Sequence, residues 1–199
     1  LGDLPVDSTF SVVNDSYSAL VKQEYTAIAG DEFAGDGRIL SQNLVDYTEK
    51  RGWYINFDHA SPDGSIDPQY PGEKAVRNVQ IRGGIVFVNS IVPKEALSCG
   101  VRAGGAANAF CADTGTLECV TEGGVFDVNE DGYVNDSDLT SSGQMIASTY
   151  FEDSVPTDST FIGGSRVTQL SDESLEVRVT NTSGGTNTGR ISWQRLKQD

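Results

Sequence analysis

The chain has one histidine, one methionine and two tryptophans in 199 residues. The histidine, His59, lies in "FDHASPDG" with no G-x-S-x-G elbow beside it. That leaves no evident Ser–His or Cys–His arrangement for nucleophilic catalysis and no His-based zinc set. His59 reads instead as a surface or capping residue. Carboxylates are too numerous to single out a glycosidase pair, and no pattern points to one, so no catalytic residue is assigned and the chain reads as non-enzymatic. Basic residues are also scarce: 14 Lys and Arg stand against 29 Asp and Glu, a net charge of −15. This balance disfavours nucleic acid and anionic lipid as partners, and it favours divalent cations and solubility in salt. No run approaches the roughly 18 apolar residues of a membrane helix, so no membrane span is expected. The chain opens at Leu1 with no signal-like segment, which reads as a mature or excised piece of a larger precursor.

Cysteine is limited to Cys99, Cys111 and Cys119. No C-x-x-C spacing is present, which weakens a thiolate metal site. In "CADTGTLEC" the second and third cysteines sit symmetrically about Gly115. A hairpin loop at "TGT" would bring them face to face across antiparallel strands, within disulfide reach. The expectation is a Cys111–Cys119 disulfide in an oxidising compartment; three buried thiols in a reducing one are the alternative.

Glycine, by contrast, is plentiful, with 22 residues. Short alternating stretches such as "IVFVNSIV" and "LEVRVTN" are punctuated by "GG", "DG" and "SGG". They predict an all-β domain of roughly ten short, largely antiparallel strands, with turn signals about every ten residues. "YSALVKQEYTAIA" fits one helix or two strands. "KAVRNVQIRGGIVFVNSIVP" predicts two strands about a Gly-Gly turn. "FIGGSRVTQL", "LEVRVTN" and "RISWQRL" predict three more, the last two linked by "NTSGGTNTG". Sandwich, barrel and propeller blades all suit this spacing. Trp53, Tyr54 and Trp193 suit a core better than an adhesive surface.

The densest chemistry lies at residues 127–138, "DVNEDGYVNDSD". Asp127, Asn129 and Asp131 fall at positions 1, 3 and 5 of the D-x-[DN]-x-[DN]-G pattern. Gly132 takes the sharp bend at position 6, Tyr133 offers its carbonyl at 7, Asn135 stands at 9 and Asp138 closes position 12. Every donor is a hard oxygen, which selects Ca²⁺ over Zn²⁺ or Cu²⁺. Asp in place of Glu at position 12 suggests an affinity nearer that of extracellular modules, about 10⁻⁴–10⁻³ M. The flanks "GGVF" and "LTSSGQ" are poor helix formers, so an EF-hand is not expected. The loop resembles a dockerin repeat, but only one is present.

Several segments together carry a wider resemblance. In order they are "NLVDYTEKRGWYINF" (43–57), "GEKAVRNVQIRGGIVFVNSIVP" (72–93), Cys99, "FDVNEDGYVNDSD" (126–138), "FIGGSRVT" (161–168) and "GRISWQRL" (189–196). This succession resembles the C-terminal part of type IV pilus tip-associated adhesins and biogenesis factors, the PilY/PilC family. The resemblance covers roughly residues 40–196, and residues 1–39 match weakly. It implies a partial or modified β-propeller outside the outer membrane of a Gram-negative bacterium, at the cell surface or pilus tip. It also implies roles in pilus extension and retraction, surface attachment and twitching motility, under calcium regulation. The oxygen ligand positions carried over are Asp127, Asn129, Asp131, Asn135 and Asp138. Expected partners are minor pilins or the remainder of its own precursor, and a host or abiotic surface. The family proteins are far longer, Cys111 and Cys119 are additional to their usual pattern, and no RGD string is present. The rival reading is a secreted, calcium-stabilised carbohydrate- or protein-binding module unrelated to pili.

Overall fold

The computed structural model describes residues 16–28, 37–57, 71–75, 77–94 and 103–182. Among them are twelve strands, two short 3-10 turns (Ser16–Ala19 and Asp136–Asp138) and no α-helix. The strands are β1 (Leu20–Gln23), β2 (Tyr25–Ala27), β3 (Gly37–Leu40), β4 (Gly52–Ile55), β5 (Lys74–Ala75) and β6 (Gln80–Arg82). They continue with β7 (Ile85–Val92), β8 (Gly104–Cys111), β9 (Ile146–Phe151), β10 (Pro156–Ile162), β11 (Ser165–Leu170) and β12 (Leu175–Val179). The all-β, mostly antiparallel class is therefore observed.

The principal sheet has seven strands in the order β2-β3-β9-β8-β7-β5, with β6 adding to the other half of β7. It is strongly curled, half a barrel. Laid flat, four inter-strand spacings would hold β3 and β5 roughly 19 Å apart. Yet Arg38 on β3 reaches Glu73, the residue before β5, with Nη1 2.7 Å from Oε2 and both side chains fully buried. The curl brings them together on the concave face. Arg38 also donates to the Phe57 carbonyl, Asn108 Oδ1 and Ser148 Oγ, and its guanidinium lies 4.0 Å over the Tyr25 ring. Ser90 Oγ donates to Glu73, and Tyr25 donates to Asn108 Oδ1 at 2.9 Å. Burial pushes the Tyr25 phenol far above its ordinary value. The two ends of the curled sheet are thus joined by side chains rather than by a backbone ladder.

β7 and β8 form the centre, paired in unbroken register from Ile85–Cys111 to Val92–Gly104. Both are buried almost throughout because both faces are covered. On one side, Trp53 of the parallel β1–β4 pair packs edge-on against Phe110 at 5.0 Å. On the other, Phe87 meets Phe161 of the β10–β11–β12 meander at 5.0 Å and Phe126 at 6.4 Å.

Several expectations resolve differently in detail. "YSALVKQEYTAIA" forms a 3-10 turn and two strands. "KAVRNVQIR" is broken into β5 and β6, while Gly83-Gly84 makes the turn into β7. "FIGGSRVTQL" is a hairpin spanning the end of β10 and β11 rather than one strand. β8, "GGAANAFC", is a strand built from small residues because its neighbours come very close. A Cβ on Gly105 would lie 2.6 Å from the Ser90 carbonyl oxygen and 2.2 Å from Pro156 Cδ. The expected strand "RISWQRL", with Trp193, and also His59 and Cys99, lie outside the described residues.

Candidate metal centre

The acidic loop is held at both ends before any side chain of its own acts. At its entry Val125 and Phe126 are buried, and Phe126 forms an isolated antiparallel bridge to Thr180. Asn181 N donates to the Val125 carbonyl at 2.9 Å, and Asp127 N donates to Val179 O at 3.1 Å. The first candidate ligand is thereby fixed beside the end of β12. At the exit, residues 136–138 form a 3-10 turn closed by a capping box. Ser137 N donates to Asn135 Oδ1 at 2.8 Å, and Asn135 N donates to Asp138 Oδ2 at 2.9 Å.

Between these anchors, backbone amides turn toward side-chain oxygens. Asp127 Oδ1 accepts from Asp131 N at 3.2 Å, and its Oδ2 accepts from Gly132 N at 2.9 Å. Asn129 Oδ1 accepts from Asp131 N, and Asp131 Oδ1 from Tyr133 N. Asp138 Oδ1 accepts from Val128 N at 2.8 Å and Asn129 N at 3.3 Å. Gly132 sits at φ 91°, the left-handed region that a Cβ disfavours, so the bend expected there is present. Asn129 Nδ2 links the two halves by donating to Ser137 Oγ at 2.7 Å.

All six predicted ligand residues therefore lie in one hydrogen-bonded loop, but their environments divide. Asp127 is 4 % exposed and Asp138 is 1 % exposed. Asn129, Asp131, Tyr133 and Asn135 are exposed, and the Tyr133 ring stands out in solvent. Among the described residues, no Lys or Arg forms an ion pair with Asp127, Asp131 or Asp138. Among the same residues, no three His, Cys, Asp or Glu side chains converge on one point where a metal ion would be held. The donor chemistry still fits a hard cation. Among the described residues, the two buried carboxylates of the loop have only amide donors around them, and Asp131 Oδ2 meets only a long contact of 3.4 Å from Asn129 Nδ2.

Cys111 at the end of β8 is joined to Cys119 by a disulfide, with Cα atoms 5.8 Å apart. Residues 112–119 run as turns rather than as the second strand of a hairpin. Cys119 N donates to Cys111 Sγ. Trp53 is half-buried, and its Nε1 donates to the Ala112 carbonyl at 3.2 Å. Sequence reasoning missed the Arg38–Glu73 centre and Arg166, which is 4 % exposed and donates to Asn89 Oδ1. Burial lowers the Arg166 guanidinium to about 10. No local signal marks either arginine, because each meets its partner only through the tertiary fold. In comparisons with known proteins, no family model, no curated protein and no solved structure matches this chain.

Proposed function

We propose that this chain is a non-enzymatic, extracellular calcium-binding domain of a type IV pilus tip adhesin or pilus biogenesis protein. In this reading it belongs to the closing portion of a modified β-propeller. The β10–β11–β12 meander supports that assignment, since propeller blades are built from such up-and-down antiparallel strands. The order of the segments from "NLVDY" to "GRISW" is what links the chain to pili. The Cys111–Cys119 disulfide supports an oxidising compartment.

The observation that carries the calcium assignment is the pair Asp127 and Asp138. These two buried carboxylates stand at opposite ends of one loop, with backbone amides around them and no basic ion-pair partner among the described residues. Asp127, Asn129, Asp131 and Asp138 would hold Ca²⁺ through side-chain oxygens, Tyr133 through its carbonyl, and Asn135 directly or through water. The ion would supply positive charge that cancels repulsion among the three aspartates. Because Asp127 N is bonded to Val179 O, ordering the loop also steadies the end of β12. Titration calorimetry with Ca²⁺ tests the reading. Wild type is expected to bind, and Asp127→Ala/Asp131→Ala is not; absence of heat with wild type would overturn the metal assignment. Normal piliation and twitching in that double variant would remove the regulatory role.

A further inference from the structure

What a disulfide can do depends on which sulfur is within reach and which one leaves. In the Cys111–Cys119 bridge the two halves differ. Cys111, at the end of β8, is fully buried, whereas Cys119 is partly exposed in the turns that follow. A thiolate arriving from solution therefore meets Cys119. The sulfur that leaves is then Cys111 Sγ, which already accepts the Cys119 amide at 2.9 Å. An N–H aimed at that sulfur favours its thiolate form, and a stabilised thiolate leaves faster. Access and leaving group point in the same direction.

The loop that the bridge closes also holds a neighbouring layer. The parallel β1–β4 pair shares no ladder with the seven-stranded sheet. Instead, three consecutive loop carbonyls accept from the pair and from the segment between its strands. Ala112 O accepts from Trp53 Nε1 at 3.2 Å, Asp113 O from the Tyr47 hydroxyl, and Thr114 O from Gln23 Nε2 at 3.0 Å. Trp53 packs so closely on Gly115 that a Cβ there would lie 2.3 Å from its Cδ2. All four contacts use backbone that the bridge keeps in one shape. Opening the bridge returns conformational freedom to that backbone and weakens its hold on β1–β4. β7, β8 and β9 keep ladders of their own.

We propose that the Cys111–Cys119 bridge is a thiol-exchange site, opened from its Cys119 side by a dithiol reductant, and that its opening releases the β1–β4 pair while the central sheet stays folded. The external thiolate attacks Cys119 Sγ and a new S–S bond forms there. The Cys111–Cys119 bond breaks, and its electron pair leaves on Cys111 Sγ, which then takes up a proton. The second thiol of the reductant displaces Cys119, so the two cysteines gain two electrons as the dithiol closes to its own disulfide. The proposal stands apart from the calcium and pilus readings, since it rests only on the bridge and its loop.

The test uses the full chain with Cys99→Ser, so that no third thiol takes part. Excess β-mercaptoethanol is added without denaturant and the reaction is stopped with acid. Free thiols are then labelled with N-ethylmaleimide in acidic urea, and the peptides are read by mass spectrometry. The expected result is an adduct on Cys119 with a free Cys111, favoured about tenfold over the reverse. An adduct on Cys111, an even split, or no adduct until the whole chain unfolds would overturn the exchange site. Amide hydrogen exchange reads the release. Reduction with dithiothreitol should speed exchange about tenfold or more in β1, β4 and residues 112–119, and leave β7–β9 protected as before. Unchanged protection in β1 and β4, or loss in all strands together, would overturn it. Cys111→Ser/Cys119→Ser in the same background should show the reduced pattern with no reductant present. A fully protected β1–β4 pair in that variant would overturn the release as well.

Discussion

Glu73 and Asp138 are both buried carboxylates, and the protein neutralises them by opposite means. Glu73 has a guanidinium 2.7 Å away, carried by the same chain. Among the described residues Asp138 has only backbone amides, from Val128, Asn129 and Asn135. The first arrangement is self-contained, since charge and counter-charge fold together. The second leaves a full negative charge offset by dipoles alone, with Asp127 and Asp131 in the same loop. A buried charge without a counter-ion costs several kcal/mol, so on the calcium reading proposed above a cation would stabilise the loop and not the concave face. On that reading the molecule would separate a site that fixes its shape from one able to respond to what is dissolved around it.

That contrast can be broken from either side. The largest effect is expected at the ion pair: Arg38→Met should cost about 3–5 kcal/mol in urea unfolding, because Glu73 is left charged and buried. Adding Glu73→Leu should recover much of the loss; a double variant no more stable than the single would show that the pair was not the issue. Asp138→Ala comes next, at about 2–4 kcal/mol without calcium, since three amides lose their acceptor. Saturating Ca²⁺ should then stabilise wild type by about 2.7 kcal/mol at a hundredfold excess over Kd. The Arg38→Met/Glu73→Leu protein, with its loop intact, should show the same gain in thermal melting. The smallest effect is at Asp131→Ala: its exposed side chain should contribute about 0.5 kcal/mol or less without metal. Its loss should nevertheless remove most of the calcium-dependent gain, a combination that separates a ligand from a structural cap.

How much of this was legible in the sequence depends on how local the cause is. "QIRGGIVF" declares its hairpin because alternation and a two-glycine turn both lie within eight residues. The ligand template at 127–138 is local too, and all six positions share one loop. β8 is hidden because its strand character comes from neighbours, Ser90 and Pro156, that exclude larger side chains at Gly105. Asp138 reads from the sequence as a ligand; its second role, accepting Asn135 N in a capping box, appears only in the folded loop. Arg38 and Glu73 carry no mark at all. They become partners only when the sheet curls enough for β3 to face β5. The alternation of "LEVRV" is local as well: it puts Glu176 and Arg178 on the side of Thr168 and Arg166, and Leu175, Val177 and Val179 on the other.

The pairing of β3 with β9 also sets an order of events for a chain made from one end. Gly37 lies opposite Thr149, so the β2–β3 hairpin is synthesised long before the strand it must join. Its β3 flank stays open until the last third of the chain has arrived. If the chain is threaded through a membrane N-terminus first, that open flank emerges unaccompanied on the far side, where it is the natural point for a chaperone to hold or a stray strand to add.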